Sequence, residues 1–290
     1  MKQKNKNILI ILIISIVLLF YYLNKNSTEG FDNKENIYDL PKIIWSYWNT
    51  DTLPEQIKLI YENNKKKLNN YDYKLVTNSN KKEYLGDDDI KTELSPEHYS
   101  DWLRLYLLKK YGGVWMDISI IVNTTFDDLW NKSFIKKSEL TGFNMPNHEN
   151  GSIKMPVVEN WFIMAPKDSE VIKLWYDEYN SAIEKGFKTY KLEQIKNGVN
   201  FQNIFGPNED EVYLTQHGCL QVVLQKKLNR EANMYIQNSL DSMFKLQAEC
   251  NWDTKCLHTK INDTSYSKKI PYIKLRGTDR NNLDLTKYFE

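Results

Sequence analysis

The chain has 290 residues, enough for one large domain or two small ones with a full core. Its 39 Lys and Arg stand against 38 Asp and Glu, and a net charge of +1 argues against a nucleic-acid binder, which carries a basic surplus. Aromatic residues make up 13%, with 8 Trp and 19 Tyr; cores use such rings, and so do sites that stack against sugars and bases.

The first seven residues, MKQKNKN, carry Lys2, Lys4 and Lys6. Ile8–Leu23 follows without a charge, slightly short of the usual ~20-residue membrane span. A cleaved signal peptide is the rival reading, but the flank YYLNKNS has no small-x-small cleavage site and carries an aromatic pair suited to a membrane interface. The expectation is therefore a cytoplasmic tail over 1–7, a signal-anchor over 8–23, a polar stem over 24–39 and one domain over 40–290. The lysines on the short side make this a single-pass type II membrane protein, with its domain lumenal (Golgi- or ER-like) or extracytoplasmic. Cys250 and Cys256, in CNWDTKC, are spaced for a small disulfide loop that would leave Cys219 free; three reduced cysteines are equally compatible with the spacing. Sequons at Asn26, Asn123, Asn131 and Asn262 fit a glycosylated protein, although several arise by chance in an Asn-rich chain.

From Leu40 the pattern is globular. PKIIWSYW predicts a strand over Lys42–Trp48, and LPEQIKLIYENNKKKL an amphipathic helix with Pro54 near its first turn. YKLVTN predicts a second strand. SPEHYSDWLRLYLLKKYGG predicts a long helix with Ser95 as N-cap, Pro96 at its first position and Gly112 as its stop. VWMDISIIV reads as a third strand. Gly86–Asp89, GDDD, reads as a solvated turn. Strand–helix–strand–helix–strand implies an α/β fold with a mainly parallel sheet, whose ligands bind beyond the C-terminal strand ends. Further on, VVENWFIMA is strand-like, and DSEVIKLWYDEYNSAIEKG is a helix with Val171, Leu174, Trp175, Tyr179 and Ala182 on its apolar face. TQHGCLQVVLQKKLN predicts another helix, and IPYIKLRGTDR a late strand running into a basic loop.

Two places carry candidate chemistry. Asp101 and Arg104 are three apart and share a helix face, as a plain ion pair or as a polar pair for sugar hydroxyls and phosphate. Strand alternation puts Trp115, Asp117 and Ser119 on one face; Asp117 is there either as an oxygen ligand for a hard cation or as an acid on a solvated strand end.

YSDWLRLYLLKKYGGVWMDIS resembles the signature FSD-x-x-R…YGG-x-W-x-D-x-[ST] of the capsular-polysaccharide-synthesis glycosyltransferases. That family is similar to the DXD sugar transferases, including the yeast initiating mannosyltransferase and the clostridial glucosylating toxins. PKIIWSYW, VENWFIMAPKDSEVIKLW, YLTQHGCLQ and IKLRGTDR continue the resemblance in order over Leu40–Arg280. It implies a GT-A nucleotide-sugar-binding fold following the single N-terminal transmembrane helix. Asp117 matches the metal-binding acid of the DXD motif; Ser119, a weaker neutral ligand, stands where that motif has its second acid, as Ser or Thr often does in the capsular family. His217 resembles a histidine that completes the metal site in some relatives, and the implied cofactor is a divalent ion, Mn²⁺ or alternatively Mg²⁺. Asp101 and Arg104 match the pair that holds the donor's ribose and sugar, and Trp48 an aromatic that stacks on the nucleobase. Glu159 and Asn160 match a segment beneath the donor sugar, where an acid orients the acceptor hydroxyl or takes its proton. Lys274, Arg276 and Arg280 form a basic loop suited to the donor diphosphate. The expected function is transfer of a hexose from a UDP- or GDP-sugar to a hydroxyl on a glycan or glycoprotein, without nucleic acid. The alternative, kept open by Ser119, is a catalytically inactive anchored carbohydrate-binding or scaffold protein on the same fold.

Overall fold

The computed structural model describes residues 38–145, 155–206, 208 and 211–290. The expected anchor at 8–23 lies outside the described residues, as do the tail and all but the last two residues of the stem. Among the described residues no helix is long and apolar enough to cross a membrane.

Strands and helices alternate at first: β1 (Ile43–Tyr47), α1 (Glu55–Lys67), β2 (Asp72–Val76), α2 (Lys81–Leu85), α3 (Pro96–Tyr111) and β3 (Gly113–Met116). Then come β4 (Ile120–Val122), α4 (Asp127–Lys136), β5 (Leu140–Asn144), β6 (Val158–Ala165), α5 (Glu170–Lys185), α6 (Phe187–Lys196) and α7 (Thr215–Val222). The last part holds β7 (Met234–Asn238), α8 (Lys245–Glu249), α9 (Thr254–Asn262), α10 (Thr264–Ser267), β8 (Tyr272–Lys274) and α11 (Thr286–Phe289). The main sheet has the order β2-β1-β3-β6-β5-β7. β1 pairs in parallel with β2 and β3, and β5 with β7; β6 alone is antiparallel to its neighbours β3 and β5. The mainly parallel α/β sheet expected from the strand–helix alternation is the one observed.

Alternation along the strands divides the core. Trp45, Trp115 and Ile163 point to one face of the sheet and pack with Trp102, Trp175 and Tyr179 from α3 and α5. Ile44, Val114, Met116, Phe162 and Met164 point to the other and pack with Phe126 and Leu129. A third cluster joins Ile57 and Ile60 of α1 to Ile121, Ile273 and the C-terminal Leu285 and Tyr288.

α3 begins where its cap residues predict: the Ser95 hydroxyl accepts from His98 N at 3.3 Å, and Pro96 is its first residue. Asp101 to Leu108 are all buried, so this helix has no solvent face in its middle. The glycine pair that follows has a steric cause. Gly112 and Gly113 have φ of +70° and +98°, and a β-carbon would lie 2.5 Å from Lys167 N or from Ile43 O respectively. Only glycine lets the chain turn there and enter the sheet flush against β1.

VWMDISIIV, predicted as one strand, is two. β3 ends at Met116, Asp117 to Ser119 form a turn closed by Ile120 N donating to Asp117 O at 3.0 Å, and β4 leaves the main sheet to pair antiparallel with β8. Each half is fully buried, so the apolar run serves two sheets instead of one. Cys250 and Cys256 form a disulfide across the α8–α9 turn, with Cα atoms 5.6 Å apart, while Cys219 is a buried free thiol. Of the sequons, Asn123 is committed internally: its amide donates to Ile270 O and to the Tyr288 hydroxyl, both at 2.8 Å. Asn131 and Asn262 are exposed.

Candidate active site

The carboxyl ends of parallel strands leave a crevice at one edge of the sheet. Trp48 follows β1 there, and the Asp117–Ser119 turn follows β3. Because β6 is antiparallel, its first residues, Glu159 and Asn160, reach the same edge. The first half of α3, the start of α7 and the end of β8 add Asp101, Arg104, His217, Lys274 and Arg276. All ten residues singled out from the sequence line one cavity of about 920 Å³, together with Arg280.

Three residues of the cavity floor, Asp101, Arg104 and Asn160, are closed into a hydrogen-bonded ring by a fourth side chain behind them, that of Gln216. Arg104 Nη1 donates to Asp101 Oδ1 and to Gln216 Oε1, the latter at 2.7 Å. Asn160 Nδ2 donates to the same two acceptors, at 3.0 and 2.8 Å. Gln216 Nε2 returns a bond to Asp101 O at 2.6 Å. Arg104 also lies over the Trp115 ring at 5.0 Å. Asp101 and Arg104 are therefore an ion pair, as their spacing allows, but one locked to two further residues and almost sealed from water. Gln216, wholly buried, was not among the sequence candidates. Nothing in TQHGCLQ marks it out from Gln221, because its role depends on α3 and β6 closing around it.

Asp117 is flanked by cations. Lys274 Nζ donates to Asp117 Oδ2 and to Ser119 Oγ, both at 2.8 Å. Arg104 Nη2 lies 3.5 Å from Asp117 Oδ1, and the Trp115 indole donates to that oxygen at 3.1 Å. Burial works to raise the Asp117 pKa; the Lys274 and Arg104 charges, with the lysine and indole hydrogen bonds, outweigh it and hold the carboxyl below the ordinary range. Asp117 and Ser119 come together through the turn, not through strand alternation. Lys274, expected on the diphosphate loop, stands between them.

Glu159 has the opposite environment. Burial raises its pKa to about 7, against the lowering effects of the Trp161 indole, which donates to Oε2 at 2.8 Å, and of the Lys274 charge. Arg276 is aimed by Asp279, which is wholly buried and was not singled out in the sequence. Asp279 accepts from Arg276 N, Nε and Nη2 at 2.7–3.1 Å, and Gln247 adds a bond at 3.2 Å. Arg276 also lies over the Trp252 ring at 4.7 Å, and Arg280 over Trp48 at 5.7 Å. His217, buried in the first turn of α7, completes the wall.

The family model for the capsular polysaccharide synthesis protein matches residues 14–269. The chain belongs to that family. Among solved structures, this family member is similar to the PaToxG glycosyltransferase at 15% identity, covering 91% of each chain with a TM-score of 0.40. It is also similar to a glycosyltransferase involved in glycosylation of the major capsid of PBCV-1, at 12% identity, covering 86% of this chain and 98% of that one with a TM-score of 0.41. A third is the galactosyltransferase LgtC in complex with donor and acceptor sugar analogs, at 10% identity, 81% and 87% coverage and a TM-score of 0.41. No curated protein matches the chain.

The divalent ion implied by the resemblance does not fit the residues of this family member. A hard dication wants several anionic or carbonyl oxygens. Among the described residues, the three ligands implied by the resemblance are one carboxylate, one neutral hydroxyl and an imidazole, and an ammonium already bridges the two oxygen donors. Among the described residues no three His, Cys, Asp or Glu side chains are grouped to hold a metal ion. A dication set ~4 Å from the Lys274 ammonium would meet about 8 kcal/mol of repulsion at an effective dielectric constant near 20.

Proposed function

We propose that this protein is a glycosyltransferase that moves a hexose from a UDP- or GDP-sugar to a hydroxyl of a glycan or glycoprotein. The observation that carries this reading is the convergence of residues from six separate parts of the chain on one cavity with two unlike walls. Asp101, Arg104 and Asn160, held from behind by the buried Gln216, present rigid donors and acceptors suited to ribose and sugar hydroxyls. Lys274, Arg276 and Arg280 form a cationic side suited to a diphosphate, with Trp48 beside them for a base. Glu159, near neutrality in its pKa, is suited to orient the acceptor hydroxyl and take its proton.

We extend the proposal to topology: residues 8–23 anchor the chain as a type II membrane protein and 40–290 work in a lumenal or extracytoplasmic space. The disulfide supports an oxidising compartment. The test is a donor screen with the full purified chain, following nucleotide release from UDP- and GDP-sugars in the presence of sugar acceptors. Turnover with at least one donor, lost in Asp117→Ala and kept in the surface variant Asp128→Ala, is the expected result. Absence of turnover and of nucleotide binding with every donor refutes the reading; binding without turnover favours the inactive carbohydrate-binding alternative.

A further inference from the structure

We infer that Lys274 takes the place of the divalent cation, so that this site binds and releases a nucleoside diphosphate without a metal. The inference rests on the glycosyltransferase reading and specifies how that site handles charge.

Charge balance at the turn is the first support. Two acids and a dication sum to zero; so do Asp117, the neutral Ser119 and one ammonium. The serine that weakens a metal site is the residue that balances a lysine. Geometry is the second. Lys274 Nζ is 2.8 Å from both Asp117 Oδ2 and Ser119 Oγ, the bridging place a cation would occupy. Construction is the third. Lys274 is only 8% exposed, and its backbone is held on three sides. It pairs with Ile120 in the β4–β8 register, its N donates to Met243 O at 2.8 Å, and its O accepts from Gln247. The amine is thus placed by the sheet, unlike a mobile surface lysine.

An ammonium has three donors, and Asp117 and Ser119 take two. The third serves a diphosphate oxygen, with Arg276, aimed by Asp279, as a second cation on the same side. In transfer, the bond from the anomeric carbon to the diphosphate oxygen breaks and its electron pair leaves on that oxygen. The acceptor oxygen bonds to the anomeric carbon and gives its proton to the Glu159 carboxylate. Lys274 meets the charge that grows on the leaving oxygen, the task a metal performs elsewhere.

The experiment has three arms on the full chain. Mn²⁺ alone is titrated against the protein and free ion is read by electron paramagnetic resonance; the expected result is no binding below millimolar concentration. UDP and GDP affinities are measured by calorimetry in EDTA and in Mn²⁺, and the two conditions should agree within about twofold. Lys274→Met should weaken nucleotide binding by about 10- to 100-fold, the range for loss of one charged hydrogen bond, with Lys274→Arg retaining part of it. Circular dichroism checks that both variants fold, and the first two arms need no variant. Mn²⁺ binding to the wild type below millimolar concentration, or nucleotide binding that collapses in EDTA, overturns the inference and leaves the transferase reading standing. Failure of either nucleotide to bind under any condition overturns both.

Discussion

Replacing Asp279 with alanine removes the carboxylate that holds Arg276 in place. The side chain has no exposed surface, and it accepts from three nitrogens of Arg276 and from Gln247. Breaking a fully buried ion pair typically costs 3–5 kcal/mol, but the Arg276 side chain is 34% exposed and water can rehydrate part of it. That brings the expected loss of stability down to about 2–3 kcal/mol, or roughly 30- to 150-fold in the folding equilibrium. Urea denaturation followed by tryptophan fluorescence measures it, through the shift in midpoint at constant slope. Asp279→Asn separates charge from shape, since it keeps the volume and one acceptor. The pH dependence has a definite sign. Burial opposes ionisation of Asp279, but the Arg276 side-chain and backbone hydrogen bonds and that from Gln247 outweigh it, so its folded pKa lies below the ordinary one. The stabilisation is then fully present above the unfolded value of about 4 and is lost as pH falls through the folded one. The gap between wild type and Asp279→Asn should be constant from about pH 5 to 8 and should narrow on acidification. An Asp279→Ala protein within about 0.5 kcal/mol of wild type at pH 7 would refute this account of how Arg276 is positioned.

Glu159 should act in the reverse sense: with a folded pKa near 7, its contribution is present below the unfolded value of about 4.5 and fades as pH rises through 7. Glu159→Gln should match wild type in stability near pH 4.5 and exceed it by up to about 3 kcal/mol at pH 8.5, and parallel stability–pH curves would contradict the raised pKa. Gly113→Ala should lose at least about 2 kcal/mol, because the backbone is left-handed there and the methyl would meet Ile43 O, and a melting temperature unchanged from wild type would argue against that close approach. Reduction of Cys250–Cys256, or Cys250→Ser, should cost about 2 kcal/mol for so short a loop, read as a lower melting temperature in dithiothreitol. Indifference to reductant would mean that the bridge does not form in solution.

Much of the scaffold was legible because its causes are local. Ser95, Pro96 and Gly112 mark the two ends of α3 by capping chemistry that needs no partner. The candidate residues were legible from an ordered set of motifs, and all of them reach one cavity. Gln216 and Asp279 were missed, since each works through partners far away in sequence or through a burial that no neighbouring residue announces. The run VWMDISIIV was misread as one strand for a related reason. Both halves are apolar and both are buried, so hydrophobic pattern alone has no mark for the point where the chain changes sheets.

The sequence by itself determined the balance of charge, the succession of β1, α1, β2, α3 and β3, the glycine pair after α3 and most of the residues with chemistry to offer. All of these depend on short stretches, where propensity, capping and steric rules act between near neighbours. Only the tertiary structure decided what Asp117 faces. Its partners are Arg104, thirteen residues before it, and Lys274, 157 residues after it, which reaches the turn because β8 pairs with β4. Electrostatic environment depends on which charges the fold brings within a few ångströms, and sequence spacing cannot supply that distance.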